Sequence, residues 1–157
     1  MGNGEIQTSI QTAVDIVTAR QRGRAQAISL GFSGADVTLV AAAISEVARN
    51  IVDHAKEGEI VMQPIEEHGR RGLQIVARDQ GPGIADVAQA MQYGYSTRRG
   101  LGVGLPGAKW LMDEFDIAST LGRGTTVTMR KWLPEPAEAE HSNGRGGHRP
   151  SAAEAPA

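Results

Sequence analysis

The chain has 157 residues, 40% of them hydrophobic and 22% charged, which suits a single globular domain with a core large enough to fold unaided. A net charge of -2 at pH 7 and a pI near 6.1 argue against a nucleic-acid partner, and an aromatic content of 4% argues against a platform for stacked bases. The absence of cysteine removes disulfides and thiolate metal sites, no apolar run approaches the roughly 18 residues that span a bilayer, and residues 1–12 lack a signal-peptide pattern, so the chain reads as cytoplasmic with no membrane partner.

Residues 5–12 alternate Ile6, Thr8, Ile10 and Thr12 against Gln7, Ser9 and Gln11, the period of a half-buried strand. The period then changes. Ile16, Ala19, Gly23, Ala27 and Leu30 share one helical face across residues 13–30, and Gly31 is placed to cap the C-terminus. Ser33 followed by Asp36 has the spacing of a capping box, and Val37, Val40, Ile44, Val47 and Ile51 carry a second helix to about residue 56, where Gly58 stops it. Residues 59–66 and 72–79 read as a hairpin joined by the polar turn Glu67-His68-Gly69-Arg70-Arg71. A short helix is predicted over 84–92, and residues 93–100 have no clear period and read as a mobile segment. Another helix is predicted over 105–114, and strands at 116–120 and 125–132 flank the turn Leu121-Gly122-Arg123-Gly124. The sum is an α+β fold, a two-layer sandwich with helices on one face of a mixed β-sheet. Residues 1–133 form the domain, and residues 134–157, built of Pro, Ala, Glu, Gly and His without periodicity, read as a disordered tail.

Two glycine clusters bracket the aperiodic segment: Asp79-Gln80-Gly81-Pro82-Gly83 before it, and Gly100-Leu101-Gly102-Val103-Gly104-Leu105 after it. Glycine weakens regular elements, so such clusters point to positive φ or to a ligand touching main chain; the plainer alternative is two ordinary turns. Glu46 and Asn50, four residues apart, project from one flank of the second predicted helix, with Asp53 near the same line. Asn50 offers a neutral oxygen to a hard cation such as Mg²⁺, and Glu46 can take a proton from a hydroxyl or water. Taken alone, the pair reads equally as a solvated helix face. Asp79 ends the apolar strand Leu73, Ile75, Ala77, where a carboxylate needs a donor, and the exocyclic amine of adenine is one. Gly81 and Gly83 would let backbone pass beneath a purine, while Gly102 and Gly104 would aim N–H groups at phosphates, helped by the helix dipole at Leu105. There is no G-x-x-x-x-G-K-[ST], and residues 100–104 follow a loop, so the P-loop and Rossmann readings fail on context. Lys109, Arg98 and Arg99 are candidates to neutralise a terminal phosphate, Arg49 has no assigned partner, and His54 lacks a second ligand at metal spacing.

Glu46-Val47-Ala48-Arg49-Asn50, Asp79-Gln80-Gly81-Pro82-Gly83, Gly100-Leu101-Gly102-Val103-Gly104-Leu105 and Gly122-Arg123-Gly124-Thr125 appear in the order of the ATP-binding boxes of the GHKL superfamily (gyrase, Hsp90, histidine kinases, MutL), which the chain resembles. Within it, residues 45–51 and 79–84, Gly104-Leu105-Pro106-Gly107, Leu111-Met112-Asp113-Glu114-Phe115 and Lys131-Trp132 are similar to the RsbT-type serine/threonine switch kinases of bacterial stress signalling. The likeness extends over roughly residues 6–133 and implies the Bergerat-type ATPase fold. It implies Glu46 as catalytic base, Asn50 as Mg²⁺ ligand and nucleotide contact, and Asp79 as the carboxylate that reads adenine. Gly81, Gly83, Gly100, Gly102, Val103, Gly104 and Leu105 would be further nucleotide contacts, with Thr125 supporting the adenine end. ATP and Mg²⁺ are the implied cofactors. The implied partners are a STAS-domain phospho-acceptor within a stressosome-like assembly and a PP2C-type phosphatase. Two other readings stand beside it: an anti-sigma kinase that sequesters a sigma factor and phosphorylates an anti-anti-sigma STAS protein, and a nucleotide-gated binding module without catalysis.

Overall fold

The computed structural model of the protein describes residues 4–92 and 104–135. Strand β1 (Ile6–Ile10) ends before its alternation does, because Thr12 serves as the N-cap of helix α1 (Ala13–Leu30) rather than as a strand residue. The Asp15 carboxylate accepts the N–H groups of Gln11 at 2.8 Å and Thr12 at 3.0 Å, which fixes the corner between strand and helix. Those two bonds favour the charged form and hold the Asp15 carboxyl below its ordinary value of 3.8. At its far end α1 closes on Gly31, with φ 98, whose N–H reaches the Ala27 and Ile28 carbonyls.

Helix α2 (Gly34–Asn50) starts as predicted at Ser33, whose side chain accepts the Asp36 N–H at 3.1 Å. It does not run on as a regular helix to residue 56. After Asn50 the ladder widens into a π-turn (Ile51–Ala55), closed by the Lys56 N–H on the Ile51 carbonyl at 2.9 Å. Strands β2 (Gly58–Glu67) and β3 (Arg70–Asp79) follow, longer than predicted, because the turn between them is only His68-Gly69. Both turn residues have positive φ, 53 and 81, as a tight hairpin requires, and the outer residues of the predicted turn pair across the ladder.

Helix α3 (Val87–Ala90) is the part of the predicted 84–92 helix that forms, capped by Asp86 on the Gln89 N–H at 3.0 Å. Helix α4 (Gly104–Leu111) stops short of residue 114, since Glu114 already belongs to strand β4 (Glu114–Thr120), which pairs with β5 (Gly124–Trp132). Lys131 ties this corner by donating to the Leu111 carbonyl at 3.0 Å. The predicted mobile segment 93–100 and, of the predicted tail 134–157, residues 136–157 lie outside the described residues.

The five strands are ordered β1-β2-β3-β5-β4, and every pairing is antiparallel, so the sheet is antiparallel throughout rather than mixed. One face carries Ile10, Ile60, Met62, Leu73, Ile75, Val127 and Met129 into a core with Ile16, Val40, Ile44, Val47 and Ile51 from the helices. On the alternate positions Arg78 pairs with Glu59 at 3.0 Å and Arg130 with Gln74 at 2.9 Å. The result is the expected two-layer α+β sandwich. Its register sets Asp79 between Gly58 of β2 and Thr125 of β5, at the end of the sheet where α2 passes into the π-turn.

Candidate nucleotide site

That end of the sandwich opens into a cleft of about 420 Å³. Helix α2 contributes Glu46, Arg49 and Asn50 to its wall, and the π-turn adds Asp53, His54 and Ala55. Across from them stand Asp79, Gly83, Gly104, Leu105 and Thr125, so most of the residues singled out from the sequence converge on one space.

The Asp79 Oδ1 accepts the Gly81 N–H at 2.9 Å, a turn that swings the chain out of β3 and leaves the carboxylate on the cleft wall. Among the described residues, the other carboxylate oxygen has no hydrogen-bond partner. Beside it, buried Thr125 lies 2.8 Å from the Ser119 hydroxyl, which donates to the Gly124 carbonyl at 3.1 Å and accepts the Ile84 N–H at 2.7 Å. Since Ser119 spends its one proton on Gly124, the Thr125 hydroxyl is the donor in their contact. Ser119 was not legible as a site residue; its position opposite Thr125 appears only in the β4–β5 register.

At the other end the Gly104 N–H donates to Glu46 Oε1 at 3.0 Å, so a predicted phosphate donor and the predicted base already touch. Gly104 has φ 70, and Leu105 behind it is buried in the core, which fixes the start of α4 against α2. Gly83 lines the cleft with φ 77 while backing onto the Thr120 carbonyl. Gly81 is placed differently. It does not line the cleft; a Cβ there would lie 2.6 Å from the Ala55 Cβ, so its bareness serves contact with the π-turn. Lys109 is exposed and away from the cleft, and Gly100, Gly102, Val103, Arg98 and Arg99 lie outside the described residues.

The donor set fits a hard cation. Asn50, Glu46 and Asp53 all line the cleft and carry oxygen donors. Oxygen is the donor that Mg²⁺ takes, alongside several waters and substrate phosphates. No helix among the described residues is long and apolar enough to cross a membrane.

Residues 11–131 match the histidine kinase-like ATPase domain, and the chain belongs to that family. More narrowly, it is similar to the serine/threonine-protein kinase RsbT of Bacillus subtilis (strain 168), with 50% identity over 124 residues that cover 79% of this chain and 93% of that protein. This places it among the RsbT-type serine/threonine kinases. An anti-sigma F factor of Clostridium novyi (strain NT) is 35% identical over 105 residues, covering 62% of this chain and 72% of that one. The crystal structure of RsbU and RsbW domains from Mycobacterium tuberculosis shares the fold, with a TM-score of 0.57 at 21% identity. That match covers 83% of this chain but 33% of the other, so the chain spans about a third of that structure.

Proposed function

We propose that the chain is a partner-switching kinase of the cytoplasm: it transfers the γ-phosphoryl group of ATP to a serine or threonine of a STAS-domain protein in a stressosome-like assembly, then engages a PP2C-type phosphatase. The observation that carries the reading is the single cleft in which Glu46, Asn50 and the Gly104 N–H face Asp79 and Thr125. The partners rest on the 50% identity to RsbT.

Phosphoryl transfer asks for positioning and charge stabilisation more than covalent chemistry, and the residues divide accordingly. Asp79 accepts the exocyclic amine of adenine, with Thr125 beside it. At the phosphate end the Gly104 N–H is the donor that exchanges Glu46 for a phosphate oxygen. That exchange frees Glu46 Oε1 to take the proton of the acceptor hydroxyl. Asn50 would hold Mg²⁺ together with water and phosphate oxygens, and the ion would supply charge neutralisation on the transferred group.

The test is incubation with γ-labelled ATP, Mg²⁺ and a candidate STAS protein, repeated with Glu46→Ala and Asn50→Ala. Labelled phosphoserine or phosphothreonine is expected with the parent chain, reduced by about 10²- to 10⁴-fold without the base and lost with Asn50→Ala. Full transfer by Glu46→Ala would remove its assignment as base, and ATP binding without transfer to any partner would leave a nucleotide-gated binding module. The 35% identity to an anti-sigma F factor favours one second reading, a kinase that sequesters a sigma factor. Capture of a sigma factor in place of a phosphatase would decide for it.

A further inference from the structure

Arg49 lies between the two helix residues already assigned and has no role in the scheme above. With about 100° of rotation per residue, α2 sets Arg49 some 60° to one side of Glu46 and Asn50 some 40° to the other. All three line the cleft. The guanidinium of Arg49 is permanently charged, yet its Nε is buried without a hydrogen-bond partner, and no ion pair forms to it among the described residues. A buried donor on a charged group is costly when nothing receives it, so a cleft-lining guanidinium in this state is matched to an anion that arrives with the ligand. The Gly104 N–H on Glu46, one helical turn from Arg49, marks the same end of the cleft as the phosphate end, opposite Asp79 and Thr125.

We propose that Arg49 clamps the terminal phosphate of the bound nucleoside triphosphate and stabilises its charge during transfer, acting in cis as the cation of the site. This rests on the reading of the cleft as an ATP site. In the step, the bond from the γ-phosphorus to the β–γ bridging oxygen breaks and ADP leaves with that electron pair. The acceptor hydroxyl oxygen bonds to phosphorus and its proton passes to Glu46. Arg49 takes no proton at any point; its planar fork holds two equatorial oxygens, which an ammonium of the same charge does less well. Lys109, another candidate cation among the described residues, is exposed and outside the cleft wall.

Calorimetry of the full chain with ADP and with a non-hydrolysable ATP analogue, in Mg²⁺, separates this role from a structural one. In Arg49→Met the ADP affinity should stay within about twofold, while the ratio of triphosphate to diphosphate affinity falls about 10- to 100-fold, the size of a lost charged hydrogen-bonded contact. Single-turnover transfer should fall further, on the order of 10³-fold, since the charge is largest in the transition state. Arg49→Lys should lie between the two chains in both measures. Equal loss of both nucleotides, or an unchanged ratio in Arg49→Met, would overturn the assignment while leaving the ATP site standing. A parent chain that binds neither nucleotide would overturn both. Should Arg49→Met fail to give a cooperative melt, Arg49→Lys decides: a folded lysine variant with the parent ratio and rate rules the clamp out.

Discussion

Gly81→Ala tests whether the Asp79 loop and the π-turn form one mechanical unit. The added Cβ would sit 2.6 Å from the Ala55 Cβ and 2.7 Å from its Cα, where ordinary contact begins at 3.4 Å. Relief requires the two backbones to part by about 0.8 Å, the difference between 3.4 and 2.6 Å. Neither side can yield by turning a side chain, since Ala55 has no torsion to change and the Gly81 N–H is held by Asp79 Oδ1 at 2.9 Å. Overpacking of this kind costs about 1–3 kcal/mol, which should appear as a lower unfolding free energy in urea with an unchanged slope. The displaced strand end carries the Asp79 carboxylate, so ADP affinity by calorimetry should drop about tenfold or more, each decade corresponding to about 1.4 kcal/mol. Gly69→Ala is the control: Gly69 has φ 81 with nothing within 4 Å, so alanine there costs about 1–2 kcal/mol of left-handed backbone strain far from the cleft. It should lower stability and leave ADP affinity alone. Gly81→Ala with parental stability and parental affinity would refute the reasoning, and so would an equal affinity loss in both variants.

Two further outcomes follow from single contacts. The Asp15 carboxyl is held below 3.8 by the Gln11 and Thr12 N–H groups, so its contribution to stability is present above that value and disappears as pH falls through the lower folded value. In urea unfolding the gap between the parent chain and Asp15→Asn should therefore be widest at neutral pH and shrink below about pH 4; a gap constant with pH would mean the carboxylate is not the cap. Lys131 is buried, with Nζ 3.0 Å from the Leu111 carbonyl and 3.6 Å from Asp113. Lys131→Met should destabilise by about 1–3 kcal/mol and speed amide exchange selectively across α4, while uniform exchange across the fold would show that the lysine does not anchor that helix.

The periodic part of the fold was legible because packing enforces it. Ile16, Ala19, Gly23 and Ala27 on α1, and Val37, Val40, Ile44, Val47 and Ile51 on α2 and its extension, are all buried as their spacing predicts. The ends were less legible, since one residue can serve either of two elements. Thr12 fits the strand alternation yet caps α1, and Glu114 fits a helix yet pairs with Arg130 across β4 and β5. Glu46, Asn50, Asp79, Gly83, Gly104, Leu105 and Thr125 meet at the cleft because their motifs sit at element ends that the sheet and α2 bring together. The contacts of Gly81 with Ala55 and of Ser119 with Ile84 and Thr125 were not legible, since those partners come from other elements and no local pattern names them.

The π-turn explains why local periodicity reached Glu46, Asn50 and Asp53 but not Ala55. In a regular helix Ala55, nine residues past Glu46, would have turned about 900°, which puts it on the opposite flank. Widening the ladder to bonds five residues apart lets Ala55, five beyond Asn50, return nearly above it. Asp53, His54 and Ala55 can then all face the cleft, whereas regular geometry would turn Ala55 away. Ala55 offers the smallest wall a side chain allows, and Gly81 meets it with none at all. The helix bearing Glu46, Arg49 and Asn50 and the strand end bearing Asp79 thus approach through a contact that any larger residue on either side would open. The approach of that helix to that strand end is set there, by two residues whose chemistry is only their smallness.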